Sequence, residues 1–299
     1  MLDPKLYSVL QVYESKSFSE AAKKLSITQP AVSHHIKVLE EELNVRIFDR
    51  RKGEIIVTRE GEAVVKCAKK LLGLYNNLQQ DLADSKNLVT HLTVGITHTA
   101  ESNPVAEALA NYCAQHKQVT IKLITDTINN LYKKLKNYEI DLAIVEGRVP
   151  STSVKYLLLD TDCLMLAVSV NHPFAQRSMV TLNELKKERM IIRLPNSGTR
   201  NLFTAHLESN NLSIRDFNVI MELDNIATIK DLIRRDFGVS VLPKSACLDE
   251  LKKKKIVMLP VENLSMMREI NIAYQEDFTQ IDMLHDIITA YNETLRSYK

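Results

Sequence analysis

The sequence predicts an α/β chain in three parts: a mostly helical N-terminal segment carrying a basic hairpin, one long linker helix, and a two-lobed α/β domain. Three observations predict it. Apolar residues recur at helical spacing in successive stretches up to about residue 84. A basic turn between two short apolar runs interrupts them at residues 47–57. From His91 onward the pattern becomes strands alternating with helices, which builds mostly parallel sheets with crossover helices.

Length and composition set the bounds. The 299 residues suffice for two or three domains with a sizeable core. Apolar residues make up 45% and charged residues 25%, an ordinary globular balance. The formal net charge is only +2, so any nucleic-acid footprint has to come from local clustering. No apolar run approaches the ~20 residues of a membrane span. The first twelve residues lack the apolar core and cleavage site of a signal peptide. A cytoplasmic protein with no membrane partner is expected. Cys67, Cys113, Cys163 and Cys247 are far apart and show no Cys-x-x-Cys spacing. That spacing argues against a zinc site and a disulfide framework. A redox pair brought together by the fold stays open beside the preferred reading, four unrelated structural thiols. No metal and no cofactor is expected.

The N-terminal segment opens with Leu2, Leu6, Val9, Leu10 and Tyr13, the buried stripe of a first helix. Ser17 and Glu20 form a Ser-x-x-Glu capping box for a second helix, whose inner face is Phe18, Ala21, Ala22 and Leu25. Thr28 caps a third helix, with Pro30 tolerated in its first turn. On that helix Val32, Ile36, Leu39 and Leu43 fall on one side, and Pro30, Ser33, His34 and Lys37 on the other. The outward stripe suits a major groove: Gln and His bond base edges, Pro meets a thymine methyl, and Lys reaches phosphate or guanine. A solvated helix face would look the same, so the stripe alone does not decide. Residues 47–57 then read as strand, basic turn and strand, a wing whose Arg50, Arg51 and Lys52 can lie along phosphates.

Together these residues carry a resemblance. The chain holds Ser17-Phe18-Ser19-Glu20-Ala21-Ala22, Leu25, Thr28-Gln29-Pro30-Ala31-Val32-Ser33, Ile36, Leu39-Glu40, Leu43, Ile47-Phe48-Asp49-Arg50 and Thr58-Arg59-Glu60-Gly61. Over its first ~60 residues it strongly resembles the winged helix-turn-helix of LysR-type transcriptional regulators, a far denser match than a generic helix-turn-helix signal. It departs from the family at Ile47, where leucine is frequent, and at Asn44, where glycine is frequent. Asn still tolerates a left-handed helix cap. The resemblance implies that Gln29, Pro30, Ser33 and His34 read bases, within an expected DNA-binding set of Thr28, Gln29, Pro30, Ser33, His34, Lys37, Arg50, Arg51 and Lys52. It implies double-stranded DNA with an interrupted palindrome as partner, and a homodimer that pairs into a homotetramer.

Thr58 caps a long helix running to about residue 84. Val64, Ala68, Leu71, Tyr75, Leu78 and Leu82 alternate steps of four and three along it, a heptad seam that wants a partner helix. A helix packed on its own domain would show a similar stripe. Two-fold sites on DNA favour the dimer. The expected partition is residues 1–58 for the DNA-binding domain, 59–86 for linker helix and hinge, and 87–299 for an effector-binding domain.

In that last part residues 92–96, 119–124 and 141–145 read as strands, with helices at 104–116 and 129–136 between them. A second set of strands falls at 164–170, 190–193, 219–223 and 239–242. A strand at 270–274 and a helix at 278–297 return to the first lobe. Lobe I is then about 87–162 with 266–299, and lobe II about 163–265. The resemblance extends here more weakly and implies a periplasmic-binding-protein-like fold. Ligands of open α/β sheets sit outside the carboxyl ends of strands. That rule selects Thr97, Thr99, Ala100, Thr127, Glu146, Ser197, Gly198, Thr199, Arg200 and Asn225 as effector-binding candidates. Hydroxyls and free helix N–H groups at 197–199 make an anion site, to which Arg200 adds charge. Glu146 reads either as a partner for a ligand amino group or as a solvated loop acid.

The expected function is a ligand-responsive DNA-binding regulator sensing a small anionic metabolite between the lobes. The alternative is a solute-binding receptor without a DNA-binding role, which the missing signal peptide and residues 17–61 disfavour. An enzyme is not expected. No nucleophile–base pair or glycine-rich phosphate loop is visible, and His98 and His206 have no evident acid partner.

Overall fold

The computed structural model describes residues 2–51, 54–147 and 154–298; the side chains of Arg50 and Arg51, and Lys52 altogether, lie outside the described residues. The chain divides into two compact units. One comprises residues up to Leu88 with Lys136–Glu139, the other Val89–Leu135 and the chain from Ile140 onward.

In the first unit, helix α1 is Pro4–Ser15, α2 Phe18–Leu25 and α3 Gln29–Leu43. Each starts on a side-chain cap. Asp3 accepts the Lys5 N–H, Ser17 accepts the Glu20 N–H and Thr28 accepts the Ala31 N–H. The capping box expected at Ser17 is only half made, because the Glu20 carboxylate takes the Lys23 ammonium at 2.8 Å. Asn44 closes α3 in the left-handed region at φ 51°, as its residue type predicts. Strands β1 (Phe48–Arg51) and β2 (Glu54–Val57) pair antiparallel. Glu40 ties the wing to α3 by accepting the Ile47 and Phe48 N–H groups at 2.6 and 3.2 Å. Val9, Val12, Ala21, Val32, Ile36, Leu39, Ile47 and Val65 form the core. Leu43, expected inside, is half exposed, because the last turn of α3 runs past that core. Helix α4 spans Arg59–Asn87 and starts on the Thr58 cap. At Gly61 a Cβ would stand 2.1 Å from the Ile47 carbonyl oxygen, so only glycine lets α4 come this close to the root of the wing.

The second unit runs β3 (Thr90–Ile96), α5 (Val105–Gln115), β4 (Val119–Thr125), α6 (Ile128–Lys136), β5 (Leu142–Glu146), β6 (Val154–Ser169), α7 (Leu182–Leu185), β7 (Met190–Arg193), α8 (Gly198–Ser209), β8 (Val219–Leu223), α9 (Ile226–Arg234), β9 (Ser240–Pro243), α10 (Leu248–Lys252), β10 (Ile256–Leu259), β11 (Met267–Gln275) and α11 (Ile281–Arg296). The main sheet has the order β10-β6-β11-β5-β3-β4, with β9 also on β6, while β7 and β8 pair separately. Strands β3, β4 and β5 are parallel, as expected. The connection between lobes is not. Strand β6 is 16 residues long: its first part pairs antiparallel with β11, and its second part antiparallel with β9 and β10. The apolar pattern predicts a strand here only over residues 164–170, and it does not predict β10. Asp160, Asp162 and the polar residues around them hide a run that serves two sheets in turn. Separate apolar cores fill lobe I, around Val94, Ile144, Ile272 and Tyr291, and lobe II, around Leu166, Ile192, Phe203 and Val241.

Candidate DNA interface and effector pocket

Helix α3 buries Val32, Ile36 and Leu39 and leaves Thr28, Gln29, Pro30, His34 and Lys37 exposed, with Ser33 half-buried. The Gln29 amide donates to the Ser33 hydroxyl at 2.7 Å, which organises the tip of the helix before any ligand arrives. Lys37 sits 3.7 Å from Glu41 in an exposed pair, which holds it weakly. The two adjacent histidines have different roles. His34 points outward, whereas His35 Nδ1 is 2.8 Å from the Ser8 hydroxyl and joins α3 to α1. The backbones of Arg50 and Arg51 belong to the wing strand.

On α4 the expected seam divides. Val64 packs on the domain core and Ala68 is fully buried in it, so Ala68 is not available to a partner helix. Leu71, Leu78 and Leu82 are exposed, joined by Leu74, with Tyr75 half-buried. The apolar face without a partner among the described residues therefore starts at Leu71, about two turns after the Val64 start of the heptad pattern.

Between the two lobes lies a pocket of about 410 Å³ lined by Gly147, Thr161, Leu202, Met267, Arg268 and Glu269. Its wall is made by the strands that carry the chain from lobe to lobe and by the second turn of α8. Beside it runs a buried polar chain. The Thr97 hydroxyl donates to Glu146, whose two oxygens both lie at 2.8 Å. Arg268 Nη2 is 4.0 Å from Glu146 and donates to Asp162 at 3.0 Å. Asp162 also accepts the Ser245 hydroxyl at 2.9 Å and the Ser245 N–H at 3.1 Å. Nearby, burial pushes the Cys163 thiol up, with the Asp162 charge adding to the shift, and burial pushes Cys247 up to about 12. All four cysteines are free. Neither Cys163 nor Cys247 offers the ready thiolate that disulfide chemistry needs.

Comparison with known proteins agrees with this layout. A model of bacterial regulatory helix-turn-helix proteins of the lysR family matches residues 5–62, and a LysR substrate binding domain model matches residues 85–296. The chain belongs to the LysR family of transcriptional regulators. Similar relatives include a "Probable RuBisCO transcriptional regulator" of Phaeodactylum tricornutum, 28% identical over 87% of this chain and 86% of that protein. An uncharacterized HTH-type transcriptional regulator of Methanocaldococcus jannaschii is 29% identical over 89% of this chain and 91% of its own length. Among solved structures, a full-length OxyR variant from Pseudomonas aeruginosa aligns with a TM-score of 0.67 at 20% identity, covering 96% of this chain and 93% of that one. CbnR in complex with its target DNA aligns at 0.68 and 16% identity, covering 98% and 100%.

This LysR-type regulator therefore has a winged DNA-binding domain and a two-lobed α/β effector-binding domain. Several of its sequence-predicted effector residues stand differently from expectation. Glu146 is buried and partnered, which removes the solvated reading; it ends a fully buried strand instead of lying in a loop. Thr97 spends its hydroxyl hydrogen on Glu146 and accepts the Ala100 N–H. Arg200 is held by Glu222 at 2.9 Å and donates to the Arg193 carbonyl at 3.0 Å. Asn225 caps α9, and Thr127 accepts the Asn130 N–H at the start of α6. Thr99 and Ala100 are buried. The first turn of α8 does face the other lobe: a Cβ on Gly198 would lie 3.3 Å from Ile128. The Ser197 and Thr199 hydroxyls there are buried without a hydrogen-bond partner among the described residues. None of the ten candidates lines the pocket itself. Sequence reasoning missed Asp162, Ser245 and Arg268, although charges beside apolar strand residues were a usable signal, since a buried charge has to be paired. His98 does find an acid, Glu101 at 3.8 Å, and His206 bonds the carbonyls of Leu202 and Ser265.

Proposed function

We propose that the regulator acts in the cytoplasm as a homodimer, paired into a homotetramer, that reads an interrupted palindrome with Gln29, Pro30, Ser33 and His34 of α3. Lys37, Thr28 and the wing residues Arg50, Arg51 and Lys52 hold the phosphates. The observation that carries this reading is the division of α3 into a buried apolar stripe and an exposed polar N-terminal half. The apolar face of α4 from Leu71 to Leu82 supports the dimer. The test is binding of the full-length protein to DNA upstream of its own gene. Affinity should fall steeply with salt, and a shallow salt response, equal for random DNA, overturns the reading.

The effector is a small anionic metabolite held between the lobes. Its oxyanion would take the unpartnered Ser197 and Thr199 hydroxyls at the N-terminus of α8, with Arg193 close by at the end of β7, where Nε and Nη1 also lack partners among the described residues. A neutral effector is the second reading, favoured by the engagement of Arg200 and by Leu202 and Met267 in the pocket wall. Thermal-shift titration of the full-length protein against a panel of carboxylates, sulfur oxyanions and neutral aromatics separates the two. In the anionic reading Thr199→Val loses the response to oxyanions; an unchanged oxyanion response overturns it.

A further inference from the structure

Arg268 stands where three features meet. It lines the pocket. It lies on β11 directly opposite Asp162 on β6. Those two strands are the segments that carry the chain between the lobes. The cluster around it holds two buried carboxylates, Glu146 and Asp162, and one guanidinium. Each carboxylate is anchored to a different lobe. Glu146 is fixed by Thr97 at the end of β3 in lobe I, and Asp162 holds Ser245, just past β9 in lobe II, through two hydrogen bonds.

In this arrangement the guanidinium bonds one of the two acids and not the other. At 3.0 Å from Asp162 it makes a charge-assisted hydrogen bond, and at 4.0 Å from Glu146 it makes none. Its Nε has no hydrogen-bond partner among the described residues. Taking a buried carboxylate's cation away is costly, so the two arrangements differ by what else each acid receives. A shift of about 1 Å, the difference between the two distances, would transfer the bond from one acid to the other. Such a two-place cation responds to small changes in a neighbouring cavity, because packed interiors move between discrete arrangements rather than deform smoothly.

We propose that Arg268 switches between Asp162 and Glu146 according to whether the pocket beside it is occupied, and that the switch sets how firmly the Ser245 segment of lobe II is held to the crossing strands. This rests on the interlobe pocket being the effector site. With Arg268 on Asp162, as it stands in this structure, lobe II is clamped through Ser245. A ligand that pushes or draws the guanidinium toward Glu146 releases that clamp. Pocket occupancy then becomes lobe geometry, the quantity on which regulation of bound DNA depends.

The test uses two isosteric variants of the full-length regulator, Asp162→Asn and Glu146→Gln, each removing one of the competing charges. The readout is effector-free transcription of a reporter fused to the DNA upstream of its own gene. The variants should move expression in opposite directions, by about fivefold each, while losing similar amounts of thermal stability. Ser245→Ala should follow Asp162→Asn with a smaller change. A purely structural cluster would give losses of the same sign, so a shift of both variants in one direction, or of neither, overturns the switch. Leu202→Trp tests the pocket separately by filling it without touching the charges. It should shift the reporter on its own and add nothing in the Asp162→Asn background. An unmoved Leu202→Trp reporter with opposite-signed charge variants defeats the pocket assignment and leaves the switch standing.

Discussion

Replacing Leu78 by glutamate tests the linker-helix seam. Leu71, Leu74, Leu78 and Leu82 are 41%, 43%, 53% and 57% exposed on one face of α4. Fully burying a leucine side chain is worth about 1.5–3 kcal/mol, so covering the exposed half contributes about 1 kcal/mol for each. Four leucines from each of two helices then supply about 8 kcal/mol, which falls inside the estimated cost of bringing two chains together, about 4–15 kcal/mol. The seam is therefore decisive but has no surplus. Leu78→Glu removes two of the eight contributions and places two carboxylates in an apolar contact, at several kcal/mol if they remain charged. Leu78 is far from the buried core of its own domain, which ends near Ala68, so the fold itself should survive. Sedimentation of the full-length protein over a range of concentrations should show a smaller species than the parent. Operator affinity should fall because the two recognition helices are no longer held together. A variant with parental mass and parental operator affinity refutes the seam.

His34→Ala should cost about 1–3 kcal/mol of discrimination between operator and random DNA, read by competition binding, if the side chain makes one good base contact. An unchanged ratio removes His34 from the reading face. Gly61→Ala pushes a methyl against the Ile47 carbonyl oxygen and should destabilise the winged domain by about 1–3 kcal/mol, measured by thermal unfolding. Glu184 is held down to about 2 by the Thr181 N–H, the Arg177 guanidinium and the Thr181 hydroxyl. Its folded value is depressed, so its contribution is present above the ordinary 4.5 and is lost as pH falls toward 2. Glu184→Gln should therefore flatten the loss of stability between those pH values, and an unaltered acid limb contradicts the capping role.

The DNA-binding half was readable because its determinants are local. A cap, a proline in the first turn, a left-handed asparagine and two small residues each constrain the few residues around them. The structure uses each of these: Thr28, Pro30, Asn44 and the Ala21-Ala22 pair. Where the reading failed in this half, a tertiary contact had overridden a local pattern. Glu20 met Lys23 before it could complete its box, Leu43 ran beyond the core, and Ala68 was taken by its own domain rather than by a partner.

The effector half was readable as alternating strands and helices, yet its pocket was not, for a physical reason. The rule that ligands gather at strand carboxyl ends holds for an open parallel sheet, where every strand ends at one edge. Here the lobes are joined by β6, which runs through the cleft, and by the chain that enters β11, which begins at the cleft and pairs antiparallel with the first part of β6. β6 presents Thr161 from its middle and β11 presents Met267, Arg268 and Glu269 from its first three positions, so these residues line the cavity. No periodicity marks such positions, because β6 buries one pattern of residues in lobe I and another in lobe II. What the sequence does display there is charge within strands: Asp162 lies in β6 and Arg268 in β11, 106 positions apart. A buried acid without a cation is too costly to keep, so each of the two implies a partner, and the topology that returns β11 to β6 sets them face to face. Charge within a strand marks this pocket, whereas the Ser197 and Thr199 hydroxyls at the start of α8 lie outside its lining and have no hydrogen-bond partner among the described residues.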